Sequence, residues 1–377
     1  MNFEVAEHSR ERYDDVLTAV GAKLADRPGP DADARARWDT AAQIGLAGLC
    51  LPANRGGGGL GALDTTRCLE AFGRACPDTG LAFSIAAHLL ACGVPLRDFG
   101  SPELHETILG DAATGRLILG NAMTEDDAGS DIGRLATTAR RDGDAYVLDG
   151  TKSFVSNAPL ADILLVYAAT DPSAGYFGTT AFVVPTALAG VTIGRPLAKL
   201  GLRGGTAARV TFAGCRVPAA QRLGDEGAGR VIFQHSMDWE RSCLFGIYLG
   251  MLDRQLESCV EHVRKRRQFG RRLSEFQAIS HQLVQMRQRL EAARLLLYRA
   301  GWTLDRNDPD QAAIAMAKIG VSEAAVANST EAVQVFGALG CLEGSEAADQ
   351  IRDSIPSRIF SGTNEIQREL IARDMGL

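Results

Sequence analysis

One stripe of apolar residues constrains the fold of this chain more than any other feature. Phe276, Ile279, Leu283, Met286, Leu290, Ala293, Leu297, Ala300 and Leu304 recur at three- and four-residue steps, the spacing that stacks side chains on one helix face. A helix that long cannot bury its stripe alone, so the pattern predicts a bundle of long helices around a shared core. Asp308-Pro309-Asp310 interrupts the stripe and predicts the start of another helix, because proline is tolerated in a first turn.

Upstream of the bundle the character of the chain changes twice. Residues 1–118 are rich in Ala, Leu, Arg and Asp at helical spacing. From 119 to 223 the runs are short and β-prone: Ala145-Tyr146-Val147-Leu148, Ile163-Leu164-Leu165-Val166-Tyr167, Thr180-Ala181-Phe182-Val183-Val184 and Arg209-Val210-Thr211-Phe212. Gly, Pro and Asp punctuate them, as in an antiparallel barrel or sandwich. The expectation is an α+β multidomain chain with a helical N-terminal domain (1–118), a middle antiparallel β barrel or sandwich (119–223) and a C-terminal long-helix bundle (224–377).

Composition narrows the class further. The 377 residues, 46% hydrophobic and 23% charged, are those of an ordinary globular protein. A formal charge of −6 supplies no electrostatic reason to expect nucleic acid or an anionic membrane as partner. The eight cysteines form no CxxC pair, which predicts reduced thiols rather than a disulfide framework or a zinc site. The start, Met1-Asn2-Phe3-Glu4-Val5-Ala6-Glu7, lacks the basic and apolar regions of a signal peptide. No apolar run reads as long enough to span a bilayer, and the cytoplasm is the expected location.

Gly56-Gly57-Gly58-Gly59-Leu60-Gly61 satisfies the GxGxxG pattern, with Ile44–Leu51 as a candidate strand before it. A dinucleotide site also needs a second parallel strand carrying an acid after the helix. Residues 62–100 read as helix throughout, so the glycines are expected in a loop between helices. Asp127, Gly129 and Asp131 alternate as in a calcium loop, but the twelve-residue pattern with its terminal glutamate is absent, and no metal is expected.

Several segments suit a polar ligand. Ala122-Met123-Thr124-Glu125-Asp126-Asp127-Ala128-Gly129-Ser130-Asp131 lies at the helix-to-β boundary, and Lys152-Ser153-Phe154-Val155-Ser156-Asn157-Ala158 follows the first hairpin. The first reads equally as an acidic surface loop and the second as a strand end. Arg264-Lys265-Arg266-Arg267-Gln268-Phe269-Gly270 reads as the basic last turn of a helix closed by Phe269-Gly270. Phe360-Ser361-Gly362-Thr363-Asn364-Glu365-Ile366-Gln367-Arg368 reads as a turn that opens a last helix with free N–H groups.

In this order, together with Phe276-Gln277-Ala278-Ile279-Ser280-His281 and Gln334-Val335-Phe336-Gly337-Ala338-Leu339-Gly340, these segments resemble the acyl-CoA dehydrogenase family over essentially the whole chain. The resemblance implies FAD between the β domain and the C-terminal helices, completed by a neighbouring subunit of a homotetramer built as a dimer of dimers. Met123, Thr124 and Ser130 match its first flavin segment, and Ser130 also matches a contact to the pantetheine arm. Phe154 and Ser156 match the second flavin segment. Arg266, Gln277, Gln334 and Gly337 match positions that reach a neighbour's FAD, and Thr363 and Glu365 match the last flavin segment.

Two departures stand out. Asp126-Asp127 replaces the family's more usual Pro-Gly, which leaves the loop's shape open. Ser361 stands where the medium-chain type has its catalytic glutamate, and a serine cannot remove a weakly acidic α-proton. In Ser236-Met237-Asp238-Trp239-Glu240-Arg241, Glu240 falls in the register of the base used by the isovaleryl and long-chain types, with Asp238 and Arg241 matching substrate contacts. Ser361 would keep a backbone N–H for the thioester carbonyl. The wording Asp238–Phe245 is similar to a subgroup acting on carrier-protein-bound prolyl thioesters.

The implied reaction is α,β-dehydrogenation of an acyl thioester on CoA or on an acyl or peptidyl carrier protein, with electrons passed to an electron-accepting flavoprotein. A flavin monooxygenase on the same fold, and a non-catalytic flavin- or thioester-binding protein, are the competing readings.

Overall fold

The computed structural model describes residues 6–377 except 28, 30 and 31; residues 1–5, which carry most of the signal-peptide reading, lie outside them. Helices α1 (Glu7–Lys23), α2 (Ala34–Gln43), α3 (Ala62–Ala75), α4 (Thr79–Ala87), α5 (Val94–Phe99), α6 (Pro102–Leu104) and α7 (Gly110–Ala113) come first. Strands β1 (Leu119–Ala122), β2 (Thr138–Asp142), β3 (Ala145–Ser156), β4 (Ile163–Ala169), β5 (Thr179–Pro185), β6 (Val191–Ile193), β7 (Ala207–Pro218) and β8 (Arg222–Leu223) follow. Then come α8 (Gly229–Trp239), α9 (Gly246–Lys265), β9 (Arg267–Gln268), β10 (Arg271–Arg272), α10 (Gln277–Asp305), α11 (Gln311–Phe336), α12 (Glu346–Ser354) and α13 (Asn364–Asp374).

The eight strands form one sheet in the order β6-β7-β3-β2-β4-β5-β8, with β1 paired to β4. Most pairs are antiparallel, as expected, but β1 runs parallel to β4, and β2 meets β4 in parallel at Thr138 and Ala169. The sheet is therefore mixed. β4 explains the continuous apolar run at 163–167: Ile163, Leu165 and Tyr167 enter the helical core, while Leu164, Val166 and Ala168 enter a second core on the opposite face. A strand covered on both faces has no reason to alternate.

The helical core draws on both ends of the chain. α3 crosses α9 so closely that a Cβ at Gly73 would collide with the Ile247 carbonyl, and one at Gly250 with the Glu70 carbonyl. Glycine thus lets the bundle approach the N-terminal helices closely, while Leu69, Phe72, Tyr248 and Leu252 fill the shared core. At α10 the observed helix follows the apolar stripe, burying Met286, Leu290, Ala293, Leu297, Ala300 and Leu304.

Gly56–Gly61 is a loop, as expected, and the candidate strand Ile44–Leu51 is a helix end and a 3-10 turn. Two expectations change. Thr79–Phe99 is helical throughout and is long and apolar enough to cross a membrane, with 94% of its apolar window buried inside the protein. Its apolarity belongs to the core it crosses. Within it, His88 is buried and bonds the Ala112 carbonyl at 3.1 Å and the Leu119 N–H at 3.0 Å, joining the helices to β1. Burial lowers its pKa to about 4. Finally, Phe269-Gly270 does not close α9, which ends at Lys265. Both residues have positive φ and form the turn of the β9–β10 hairpin, the twist that two-residue hairpins require. Only Arg264 and Lys265 of the basic run lie in the last helical turn.

Candidate active site

Glu240 lies at a break in the helical ladder. The segment Ser236–Arg241, which the sequence suggests as the opening of the first long C-terminal helix, instead covers the end of α8, which begins at Gly229, and the start of a π-helical turn, Glu240–Leu244, that leads to α9. Such a turn inserts an extra residue and re-aims the side chains around it. Glu240 is buried, and the Ser361 hydroxyl donates to its Oε1. Burial pushes the Glu240 carboxyl above the usual carboxylate range, against the opposing pull of that hydroxyl and of Arg241.

The partner segment is held on every side. Ser361 has φ 56 and Gly362 φ 83, a reversal that delivers the chain to α13, whose N-cap Thr363 accepts from the Ile366 N–H. The buried Arg241 donates through Nε to the Ser361 carbonyl at 2.9 Å. Lys318, fully buried on α11, donates to Asn364 Oδ1 at 2.7 Å. Burial, reinforced by repulsion from Arg241, lowers the Lys318 pKa to about 7. Among the described residues the Ser361 N–H donates to no atom of the chain. Asp238 accepts from Gln234 at 2.8 Å and Gln311 at 2.9 Å, and burial raises its pKa.

Around this junction the walls are largely aromatic. Phe360 stacks near Phe83 (4.8 Å between centroids) and Phe245 (5.5 Å), and Tyr167 meets Phe233 edge-on at 5.6 Å. The buried Tyr167 hydroxyl lies near the Ser236 hydroxyl, but that group donates to the Phe233 carbonyl at 2.7 Å and leaves the phenol without a well-formed hydrogen bond; burial drives its pKa up, with Cys92 and Glu240 adding to the rise and Ser236 opposing it. Trp239 lies under the Arg97 guanidinium at 4.5 Å, and Arg97 is itself held by Asp98.

The two loops from the β domain are joined by a buried ion pair. Lys152 Nζ donates to Glu125 Oε1 at 2.7 Å and to the Met123 carbonyl at 3.0 Å. Glu125 also accepts the N–H groups of Ala136 (2.6 Å) and Thr137 (3.0 Å). Ser153 N–H donates to the Thr124 carbonyl at 2.8 Å. Asp126 accepts from Ser153 and Arg209, so this departure from the family pattern ties the loop down by charge. Opposite, β3 shifts register against β7 between Lys152 and Val155. Phe154 sits in that irregularity with φ 55 and 65% of its surface exposed, while Ser156 is half-buried.

These features suit a large planar, polar ligand. A bulge turns the Phe154 ring outward with a free face, and Asn364 Nδ2 and Gln367 Oε1 are buried without partners at the start of α13. Of the residues that the sequence places in the flavin segments, Met123 is buried, Thr124, Ser156 and Thr363 are half-buried, and Phe154, Ser130 and Glu365 are exposed. Arg266, Gln277, Gln334 and Gly337 form a separate group at the far end of α9, the start of α10 and the end of α11. All four are exposed, and no hydrogen bond or ring contact among the described residues links them to the first group.

Lys152, Lys318 and Tyr167 escaped the sequence reading as site residues. Lys318 had a signal: a lone lysine in the apolar run Ile314–Val321 is rarely buried without a specific partner.

Family models for the N-terminal, middle and C-terminal domains of acyl-CoA dehydrogenase match residues 4–116, 120–215 and 227–376. An L-prolyl-[peptidyl-carrier protein] dehydrogenase of Pseudomonas fluorescens is 48% identical over 342 residues, covering 90% of each chain. Among solved structures, PigA with FAD and proline is 39% identical, covers 100% of both chains and has a TM-score of 0.95. The prolyl acyl carrier protein oxidase AnaB is 36% identical, covers 99% of this chain and 100% of its own, and has a TM-score of 0.96. FAD is the cofactor and an acyl thioester the class of substrate: the chain belongs to the acyl-CoA dehydrogenase family of flavin-dependent oxidoreductases.

Proposed function

We propose that this chain oxidises the Cα–Cβ bond of a prolyl group held as a thioester on a peptidyl carrier protein, in specialised metabolism, with Glu240 as the base. The observation that carries the reading is the buried Glu240 carboxylate bonded by the Ser361 hydroxyl. Desolvation makes the carboxylate a stronger base, while the serine hydroxyl orients it and holds it ionised. The α-hydrogen leaves as a proton to Glu240 Oε. The unpartnered Ser361 N–H is placed to donate to the thioester oxygen as negative charge develops there. Asp238 and Arg241 line the substrate side, and Arg241 also pins the Ser361 carbonyl. FAD, when bound, accepts the β-hydrogen as hydride.

Met123, Thr124, Ser130, Phe154, Ser156, Thr363 and Glu365 would hold the flavin from one subunit. Arg266, Gln277, Gln334 and Gly337, exposed and apart, would serve a neighbour's flavin in a homotetramer, a dimer of dimers. We place the domain divisions at 118/119 and 223/224, the enzyme in the cytoplasm, and an electron-accepting flavoprotein downstream. The test is anaerobic stopped-flow absorbance of the flavin with prolyl-carrier protein, prolyl-CoA and short acyl-CoAs. Bleaching fastest with prolyl-carrier protein is expected. Bleaching by acyl-CoAs with none by the carrier-bound prolyl group overturns the substrate assignment.

A further inference from the structure

Arg230 lies in the first turn of α8, ten residues before Glu240 on the same continuous helical path. Its guanidinium lies over the Tyr176 ring at 5.5 Å. Its Nε is sealed from solvent yet has no hydrogen-bond partner, and among the described residues no carboxylate pairs with it. One of its terminal nitrogens lies 3.2 Å from where a Cβ on Gly133 would stand, and Asp131 Oδ1, which accepts the Gly133 N–H, lies 3.1 Å from the same point, so the arginine borders the loop that carries Ser130. Tyr176 and Phe177 are exposed beside it at 48% and 65%, and Arg134 on the same loop is exposed. An arginine left with free donors beside an aromatic ring is suited to an oxyanion of phosphate geometry.

Its distance from the base matches a known chemical length. Ten residues of helix rise ~15 Å. The chain from phosphorus to sulfur in phosphopantetheine has about thirteen bonds, which extend to ~15 Å at the ~3.3–3.6 Å spanned by three backbone bonds. Arg230, Gln234, Asp238 and Arg241 follow at steps of four, four and three, a polar row along one helix face from that surface to Ser361. We infer that Arg230 is a phosphate subsite for the pantetheine arm, with Tyr176 holding the guanidinium in place, so that a phosphate at Arg230 sets the thioester at Glu240. The inference deepens the proposed carrier-bound reading and rests on it for its biological meaning.

Its test uses ligands without an acyl group, so that it stands or falls separately from the identity of the substrate. Calorimetric titration of the FAD-loaded enzyme with 4′-phosphopantetheine and with pantetheine is expected to show about tenfold or greater preference for the phosphorylated ligand, the worth of one charge-assisted hydrogen bond. Arg230→Gln should abolish the preference and leave pantetheine affinity unchanged. A variant that weakens both ligands alike, or that keeps the preference, overturns the subsite. Coenzyme A and a phosphopantetheinylated carrier protein both carry this phosphate. Titration of R230Q with each identifies the donor by where the penalty falls, and a penalty with neither overturns the assignment.

Discussion

Glu240 combines a catalytic demand with a cost in stability. Its folded-state pKa lies above the unfolded value of ~4.3, so its contribution to folding is present below that value and is lost as pH rises through the folded one. Once ionised, the buried carboxylate opposes folding. Glu240→Gln is therefore expected to melt no lower than the parent at pH 7 and to retain FAD. It should slow flavin reduction by about 10²- to 10⁴-fold, the usual scale of general-base catalysis; stopped-flow and thermal melts read the two effects. Ser361→Ala keeps the backbone N–H and removes the hydroxyl that lowers the Glu240 pKa. The acid limb of its rate–pH profile should move to higher pH, with a smaller loss at the plateau than in E240Q. Lys152 is the third residue to test. Its pKa is lowered to about 8 by burial, against the pull of Glu125, so both partners are charged at pH 7. Lys152→Met strands the Glu125 charge in a site where its side chain is 7% exposed. Losses on the order of 3–5 kcal/mol are usual for such a break. The thermal midpoint should fall and FAD should dissociate more readily, as flavin fluorescence on dilution would show.

At the scale of elements, interruptions of regular structure position the site. The π turn at Glu240–Leu244 delivers Glu240, the proposed base, the irregularity in β3 turns Phe154 outward, and the reversal at Ser361-Gly362 brings Ser361 to Glu240. Each departs from the local pattern, which is where functional sites tend to lie. The β9–β10 hairpin is a different case. Phe269 at its tip is 93% exposed and meets the Phe276 ring edge-on at 6.5 Å, which leaves most of the apolar side chain uncovered. Phe269→Ser should leave the monomer's fold and helical content unchanged. If the hairpin docks on a neighbouring subunit near the cross-subunit flavin residues, the variant should dissociate at lower dilution and lose flavin with it. Sedimentation velocity monitored at the flavin band and at 280 nm reports both.

For the whole molecule, the net charge of −6 sets no general attraction for an anionic partner, so under the proposed carrier-bound reading electrostatic capture rests on local basic groups. Arg230 and Arg134 lie at one surface and Arg264, Lys265, Arg266 and Arg267 at another. The expected outcome is that kcat/KM for a carrier-bound substrate falls with added salt while that for the same acyl group on pantetheine does not, because screening acts on long-range association. Equal salt dependence for the two would remove electrostatic capture.

What the sequence by itself determined was the architecture, the family and the short list of residues. Periodicity exposes helices and strands because faces repeat: the stripe at 276–304 became α10, and the apolar run at 163–167 became β4. The order of the motifs identified the cofactor, and Ser361 at the family's usual base position pointed to Glu240. Tertiary structure alone decided how those residues meet. The Glu240–Ser361 contact spans 121 positions and the Lys152–Glu125 pair 27, separations over which spacing carries no information. The apolar helix at Thr79–Phe99 shows the same limit, since length and composition cannot distinguish lipid from a protein core. The parallel pairing of β1 with β4 and the turn at Phe269-Gly270 depend on hydrogen-bond partners and backbone dihedrals. Burial, which gives Glu240 its basicity and Lys152 and Lys318 their lowered pKa values, belongs to the assembled core and to no segment of the chain alone.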